Sequence, residues 1–383
     1  MDGAGRIYLK RLALSTFRNY SALSMALDGR HVCLYGANGA GKTNLIEAIS
    51  QLSPGRGLRS AGLPDMAKVE AGQAGSNWAM GATLFDGDMD RSIRIDASME
   101  GSGRGKRSMQ IDGAGSTAGA LSELVRIIWL TPAMDRVFAG GATERRKFLD
   151  RQTLAHFPNH ARHSTAYEKA MRERNLLLER DFPDPVWLDG LEARLAEHGA
   201  QIAFNRVQTV SRLQAAVETR PDGAFPKADL GLEGLAEEAF SEGKSVSEVE
   251  ALLKDALSEG RRRDARAGRT LSGPHRSDLV VIHRPTGVPA ALCSTGQQKA
   301  LLIGLILSNA RALEAEEHLR NPLVLLDEAV AHLDPDRRAA LFDELSALNG
   351  QAWLTGTERS LFEGFGDRAQ YFEVSGGEVI AQD

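Results

Sequence analysis

The segment Gly36-Ala37-Asn38-Gly39-Ala40-Gly41-Lys42-Thr43 satisfies G-x-x-x-x-G-K-[ST] in full. Glycines in such a loop let successive backbone N–H groups turn inward around a phosphate, and the helix that follows points its positive end at the same anion. Gly36, Asn38, Gly39 and Gly41 are therefore candidate nucleotide-binding positions. Lys42 supplies a point charge for the β- and γ-phosphates, and the Thr43 hydroxyl is a ligand for Mg²⁺. The expected ligand is a nucleotide with Mg²⁺. A second group lies far downstream, where Pro322-Leu323-Val324-Leu325-Leu326 runs into Asp327-Glu328. An apolar strand that delivers two acids at its C-terminal end suits a Mg²⁺–nucleotide site. Asp327 would hold the metal shell, and Glu328 would orient and deprotonate the attacking water. Lys42 and Glu328 are thus the catalytic candidates.

A third group, Ser294-Thr295-Gly296-Gln297-Gln298-Lys299, stands directly before a helical run at 300–313. Two readings fit it. Ser294 is a plain N-cap, or Ser294, Gly296 and Gln297 form a second anion-binding helix start. One chain already has a phosphate loop, so the second reading makes sense if this segment caps the γ-phosphate held by another copy. That predicts a head-to-tail pair sharing two nucleotides.

Strand and helix signals supply the scaffold these residues need. Residues 6–36 read as strands, and His31-Val32-Cys33-Leu34-Tyr35 leads straight into the phosphate loop. Residues 44–52 read as a helix stopped by Ser53-Pro54-Gly55. Residues 76–96 alternate around Asp86-Gly87-Asp88, which predicts an antiparallel hairpin, whereas the Gly-, Ser- and Arg-rich stretch 101–117 predicts a mobile loop. Between 164 and 218 the period turns helical, with Leu188, Leu191, Leu195 and Ile202 on one stripe that Val207, Val210, Leu213 and Val217 continue. The Pro-rich break at 181–185 divides it into an αα-hairpin. Ser245-x-x-Glu248 opens a further helix with a capping box. Short strands and helices return from 279 onward. The expected fold class is α/β with mixed sheets and an inserted helical lobe. Its parts are 1–155 (with the phosphate loop), 156–270 (helical) and 271–383 (with the two acids).

The 383 residues are ample for two or three compact units. Hydrophobic residues at 42% and charged residues at 25% describe an ordinary globular chain. No apolar run reaches membrane-spanning length, and the N-terminal residues lack the apolar core of a secretory signal. Two cysteines, Cys33 and Cys293, make neither a disulfide framework nor a Cys-based zinc site, which points to a reducing, cytoplasmic setting with no membrane partner.

Taken together, the motif order resembles the ABC-type ATPase head of the SMC superfamily. More narrowly, the whole chain resembles the RecF family of bacterial DNA replication and repair proteins. The resemblance is carried by Phe17-Arg18-Asn19-Tyr20, the loop 36–43, Gly55-Arg56 through Arg59, and Thr131-Pro132. Further along it is carried by Arg145-Arg146-x-Phe148-Leu149-Asp150, Ser272-Gly273-Pro274-His275-Arg276-x-Asp278, Ser294 through Gln298, and Leu326-Asp327-Glu328 through Leu333-Asp334. It implies a weak ATPase used as a conformational switch and an ATP-dependent homodimer. It also implies binding to duplex and gapped DNA, and partnership with RecR and RecO in loading RecA. By position, Ser294 would meet the partner copy's γ-phosphate and Asp334 would couple the two sites. Three positions depart from the superfamily pattern. Thr355 is the nearest match to the switch His of many relatives, Thr295 replaces a signature Gly, and no Gln follows Thr131-Pro132.

With 46 basic against 51 acidic residues the net charge is −5, so DNA binding needs a local basic face. The candidates are Arg104, Lys106 and Arg107 in the Gly-rich stretch, and Arg261, Arg262, Arg263 and Arg266. Arg145, Arg146, Lys147 and Arg151 form a third cluster. Each cluster also reads as a solvated, salt-bridged surface. Aromatic residues do not interleave them, so contacts led by the duplex backbone are expected over base stacking. His275 and Arg276 either reach the nucleotide or close a core network. The alternative class is an ABC-type ATPase subunit of another DNA-processing or transport complex. A nuclease would need a further metal-ligand cluster in 150–270, and a clamp without turnover would not need Glu328.

Overall fold

The apolar run His31–Tyr35 and the run Pro322–Leu326 become neighbours-but-one in a six-stranded sheet. Its order is Arg126–Leu130, Pro322–Leu326, Ala352–Gly356, His31–Tyr35, Ala369–Ser375, Glu378–Gln382. All neighbours are parallel except the last pair. The central strands are buried on both faces, which is why they read as unbroken hydrophobic runs. A second six-stranded sheet is antiparallel throughout and is built from Tyr20–Ala26, Tyr8–Phe17, Asn77–Phe85, Asp90–Met99, Gly105–Ile111 and Ala114–Gly115, in that order. Asn77–Phe85 alternates exposed or half-buried with buried positions, as a sheet with one core face requires. Side chains of both sheets, among them Leu9, Trp78, Ile95, Val32, Leu325 and Trp353, join Leu45, Ile46 and Ile49 of the helix Lys42–Ser50 in one apolar core.

These elements form one compact unit, residues 1–134, 222–225 and 306–383. The second unit comprises 135–221 and 226–305. It holds the helices Ala142–His156, His160–Leu178, Pro185–Thr219, Leu235–Ser241 and Val246–Ala267, with a three-stranded antiparallel sheet Ala228–Glu233, Asp278–His283, Val288–Pro289. The structure, a computed structural model, describes residues 6–70, 73–75, 77–99, 105–316 and 321–382. Among these, no helix is long and apolar enough to cross a membrane.

The αα-hairpin forms where the Pro-rich break predicts. Asp184 caps Pro185–Thr219 through the backbone N–H of Val186 and Trp187, with Pro185 at the first helical position. Its stripe Leu188, Leu191, Leu195, Ile202, Val210, Leu213 and Val217 is buried, while Val207 is half-buried. The capping box at Ser245 forms, and Gly268 in the left-handed region closes the same helix.

Two sequence expectations change, and one helix lies where none was expected. Residues 105–111 are a strand rather than a mobile loop, because Gly105–Ile111 pairs along the edge of Asp90–Met99. The helix Ala142–His156 is charge-rich and carries no clear apolar stripe, so its periodicity gave no signal. The division between units falls after 134 rather than 155, and residues 271–305 belong with the helical unit.

Candidate nucleotide site

The phosphate loop leaves the C-terminal end of His31–Tyr35 and enters the helix Lys42–Ser50. Gly36 (φ 144°) passes so close to Ala369–Ser375 that a Cβ would lie 2.2 Å from the Val374 carbonyl oxygen. Gly41 (φ 119°) has no room either, since a Cβ would meet Asn19 Nδ2 at 2.5 Å and the Tyr20 hydroxyl at 2.6 Å. These are backbone conformations and close approaches that select glycine. Asn38 and Gly39 are exposed at the crest of the loop. Lys42 Nζ donates to the carbonyls of Gly36 (2.6 Å) and Ala37 (2.8 Å). Burial lowers its pKa, while Glu328 and Asp327 pull it back up.

Asp327 stands at the end of Pro322–Leu326, fixed by its N–H to the Leu130 carbonyl at 2.9 Å. Its Oδ1 accepts the Thr43 hydroxyl at 2.9 Å, joining the two nucleotide motifs. The same oxygen accepts the Thr355 hydroxyl at 2.8 Å. Glu328 follows with φ 51°, in the left-handed region, and its N–H donates to Thr355 Oγ1 at 2.9 Å. Burial raises the pKa of Asp327 and the adjacent Glu328 adds to the rise, against the hydroxyls of Thr355 and Thr43. A buried carboxylate beside a second carboxylate and a threonine hydroxyl is a hard-oxygen donor set that a small divalent cation relieves. Thr43 and Asp327 therefore fit Mg²⁺. Thr355, expected near the place of a switch His, is fully buried and hydrogen-bonded to the acids instead.

In the second unit Ser294 is exposed and caps the helix Thr295–Glu314. Its Oγ accepts the Gln297 N–H at 3.3 Å, and its own N–H donates to Gln297 Oε1 at 3.0 Å. The plain N-cap reading is thus realised within the chain, while Ser294, Thr295 and Gly296 stay open to solvent. Gln298 is buried against the Cys293 carbonyl at 2.9 Å. Back in the first unit, Asp334 is exposed and caps Pro335–Ser346 by accepting the Arg337 N–H at 2.8 Å.

Residues 8–374 match the RecF/RecN/SMC N terminal domain family. The chain is 48% identical over 375 residues to the DNA replication and repair protein RecF of Brucella suis biovar 1 (strain 1330), covering 98% of this chain and 96% of that protein. The chain belongs to the RecF family. It is also 47% identical over 377 residues to the protein of that name from Rhizobium meliloti (strain 1021), covering 98% and 99%. The fold matches the recombination mediator protein RecF-ATPrS in the RecFOR pathway, with TM-score 0.85 at 23% identity over 100% of both chains. The SmcHead bound to the C-winged helix domain of ScpA is more distant, with TM-score 0.53 at 14% identity over 98% of each chain.

The segments that carried the RecF-family resemblance have structural roles. In Phe17-Arg18-Asn19-Tyr20, Asn19 Nδ2 donates to the Ala40 carbonyl (3.1 Å) and Asn19 Oδ1 accepts from Asn44 (2.7 Å). The Tyr20 hydroxyl donates to the Gly41 carbonyl at 3.1 Å. This turn fixes the carbonyls of Ala40 and Gly41, a role that sequence reasoning missed. Arg18 and Arg59 both pair with the buried Glu47 of the loop helix, at 2.6 and 3.0 Å. The blocks 145–150 and 273–278 pack on each other in the second unit. Arg145 makes a bidentate pair with Asp278 at 2.7 and 2.6 Å, and Arg146 donates to the Ser277 carbonyl at 2.6 Å. Asp150 pairs with the buried Arg206 at 2.7 Å. His275 closes a core network, with Tyr167 at 2.7 Å and the Thr270 carbonyl at 2.9 Å.

The basic candidates sort by the same logic. Arg104 lies outside the described residues. Arg107 donates to the carbonyls of Gln51 and Gly55, and burial lowers its pKa. Arg261 is held by Glu192 and Asp189. Arg145 and Arg146 bind protein acceptors, and burial pushes Arg151 down to about 9. Lys106, Arg262, Arg263 and Arg266 are exposed.

Proposed function

We propose that this RecF-family chain is an ATP-gated DNA-binding protein of replication and repair. Two copies close on ATP, bind duplex DNA beside single-stranded gaps, and with RecR and RecO assist the loading of RecA. The observation that carries the nucleotide half is the Thr43–Asp327 hydrogen bond, which brings the phosphate loop and the acidic strand end to one point. In this reading the first unit is the ATPase lobe, and the second carries the segment that answers a partner copy. The relatives named DNA replication and repair protein RecF support the DNA half.

Lys42 and the loop N–H groups bind and orient the β- and γ-phosphates. Thr43 and Asp327 would hold Mg²⁺, which when bound would supply charge neutralisation at the phosphate oxygens. Glu328 orients a water and takes its proton as the water oxygen bonds to the γ-phosphorus. The bond from that phosphorus to the β–γ bridging oxygen breaks, leaving ADP and inorganic phosphate. Ser294 and Gly296, exposed at a helix start, meet the γ-phosphate of the other copy, so hydrolysis removes what joins the pair. Lys106, Arg262, Arg263 and Arg266 are the proposed backbone contacts to DNA. The turnover is slow and serves as a switch. The test is gel-shift binding of gapped against intact duplex with and without ATP and Mg²⁺. ATP-dependent preference for the gapped duplex is expected, and equal binding without nucleotide would overturn the gating.

A further inference from the structure

We infer that Thr355 is a positioning residue for hydrolysis, setting the Asp327 carboxylate and the Glu328 backbone through one hydroxyl. The inference rests on the roles proposed above for those two acids. Thr355 is the penultimate residue of the strand Ala352–Gly356, which lies between the acid-bearing strand and the strand before the phosphate loop. The register pairs Leu326 with Leu354, so Thr355 falls level with Asp327. On its other side Thr355 pairs with Leu34. The side chain is 0% exposed.

A threonine hydroxyl has one proton to donate. Here that proton goes to Asp327 Oδ1 at 2.8 Å, and a lone pair accepts the Glu328 N–H at 2.9 Å. A residue that sensed the γ-phosphate would need that donor free and an open path to it. Thr355 has neither. Its bond to the Glu328 N–H does something else. Glu328 occupies the left-handed region at φ 51°, a strained conformation for a residue with a β-carbon that persists only where the surroundings hold it. The bond from Thr355 is such a hold, and it sets the direction in which the Glu328 side chain leaves the backbone. Of the two hydroxyls on Asp327 Oδ1, that of Thr43 belongs to the nucleotide loop. That of Thr355 belongs to a buried strand end and keeps the carboxylate in place from behind.

The test compares full-length wild type, Thr355→Val, Thr355→Ser and Glu328→Gln by ATP titration and by steady-state phosphate release. Valine keeps the shape and loses the hydroxyl, whereas serine keeps the hydroxyl. Thr355→Val should bind ATP within about threefold of wild type while kcat falls about ten- to a hundredfold, as for removal of an outer partner of a metal ligand. Thr355→Ser should recover most of the rate. Thr355→Val added to Glu328→Gln should slow it little further. Unchanged kcat in Thr355→Val with a slow Glu328→Gln would overturn the inference alone. A weaker ATP affinity with unchanged kcat would make Thr355 a nucleotide sensor and overturn it too. A Glu328→Gln rate equal to wild type would overturn the reading of the base, and this inference with it. Thermal melting identifies a misfolded valine variant, in which case Thr355→Ala takes its place under the same criteria.

Discussion

Thr43 and Asp327 stand 284 positions apart in the chain and meet through a 2.9 Å hydrogen bond. The bond exists because His31–Tyr35 and Pro322–Leu326 are parallel members of one sheet, so the segments after them emerge at the same edge. A helix start and a buried acid placed there form one polar site at the end of an apolar sheet.

Glu328 at that edge gives the first prediction. Glu328→Gln removes the proton acceptor and should slow ATP hydrolysis by about 100-fold or more, while the ATP-bound dimer persists longer. Lys42→Met should abolish nucleotide binding. Phosphate release and nucleotide titration check the two in parallel.

Ser294 separates two roles by substitution. Aspartate caps a helix about as well as serine, so Ser294→Asp should leave thermal stability near wild type. Its charge would oppose a phosphate from the other copy. Sedimentation equilibrium with ATP and Mg²⁺ should then show a dimer for wild type and a monomer for the variant. A dimeric Ser294→Asp would limit Ser294 to its cap.

The exposed arginines predict a salt dependence. The logarithm of DNA affinity should fall by about 0.9 per log unit of salt for each phosphate contact. Replacing Arg262, Arg263 and Arg266 by Gln should flatten that slope. Arg261→Gln should lower the melting temperature instead, because it leaves the buried Glu192 short of a partner, and should leave the slope unchanged.

Asp150 predicts acid lability in the second unit. Burial opposes its ionisation, yet the charge of Arg206 and the hydrogen bonds of His160 and Arg206 prevail and hold its pKa below the usual carboxylate range. A folded-state pKa below the unfolded one means stability that is full above about pH 4 and is lost as pH falls through the folded value. Asp150→Asn should lower the neutral-pH melting temperature and weaken its decline between about pH 4 and the folded value. Melting curves across pH 2–7 measure both.

The sequence alone determined the parts whose causes are local. A glycine loop opening a helix, an apolar run ending in acids, a Pro-rich hairpin break and a capping box are each written in spacing of a few residues. For that reason the loop 36–43, the strand before Asp327, and the helices of the αα-hairpin and after Ser245 stand where they were expected. Tertiary structure decided whatever depends on a distant partner. Whether an arginine is a DNA contact or a strut is not written in its neighbours. Arg107 is turned inward by the carbonyls of Gln51 and Gly55, Arg145 is tied to Asp278, and Arg261 to Glu192, while Arg266 stays exposed. The role of Thr355 is the clearest case. Strand order puts it beside Asp327, and an order of strands is set by long-range burial rather than by any spacing along the chain.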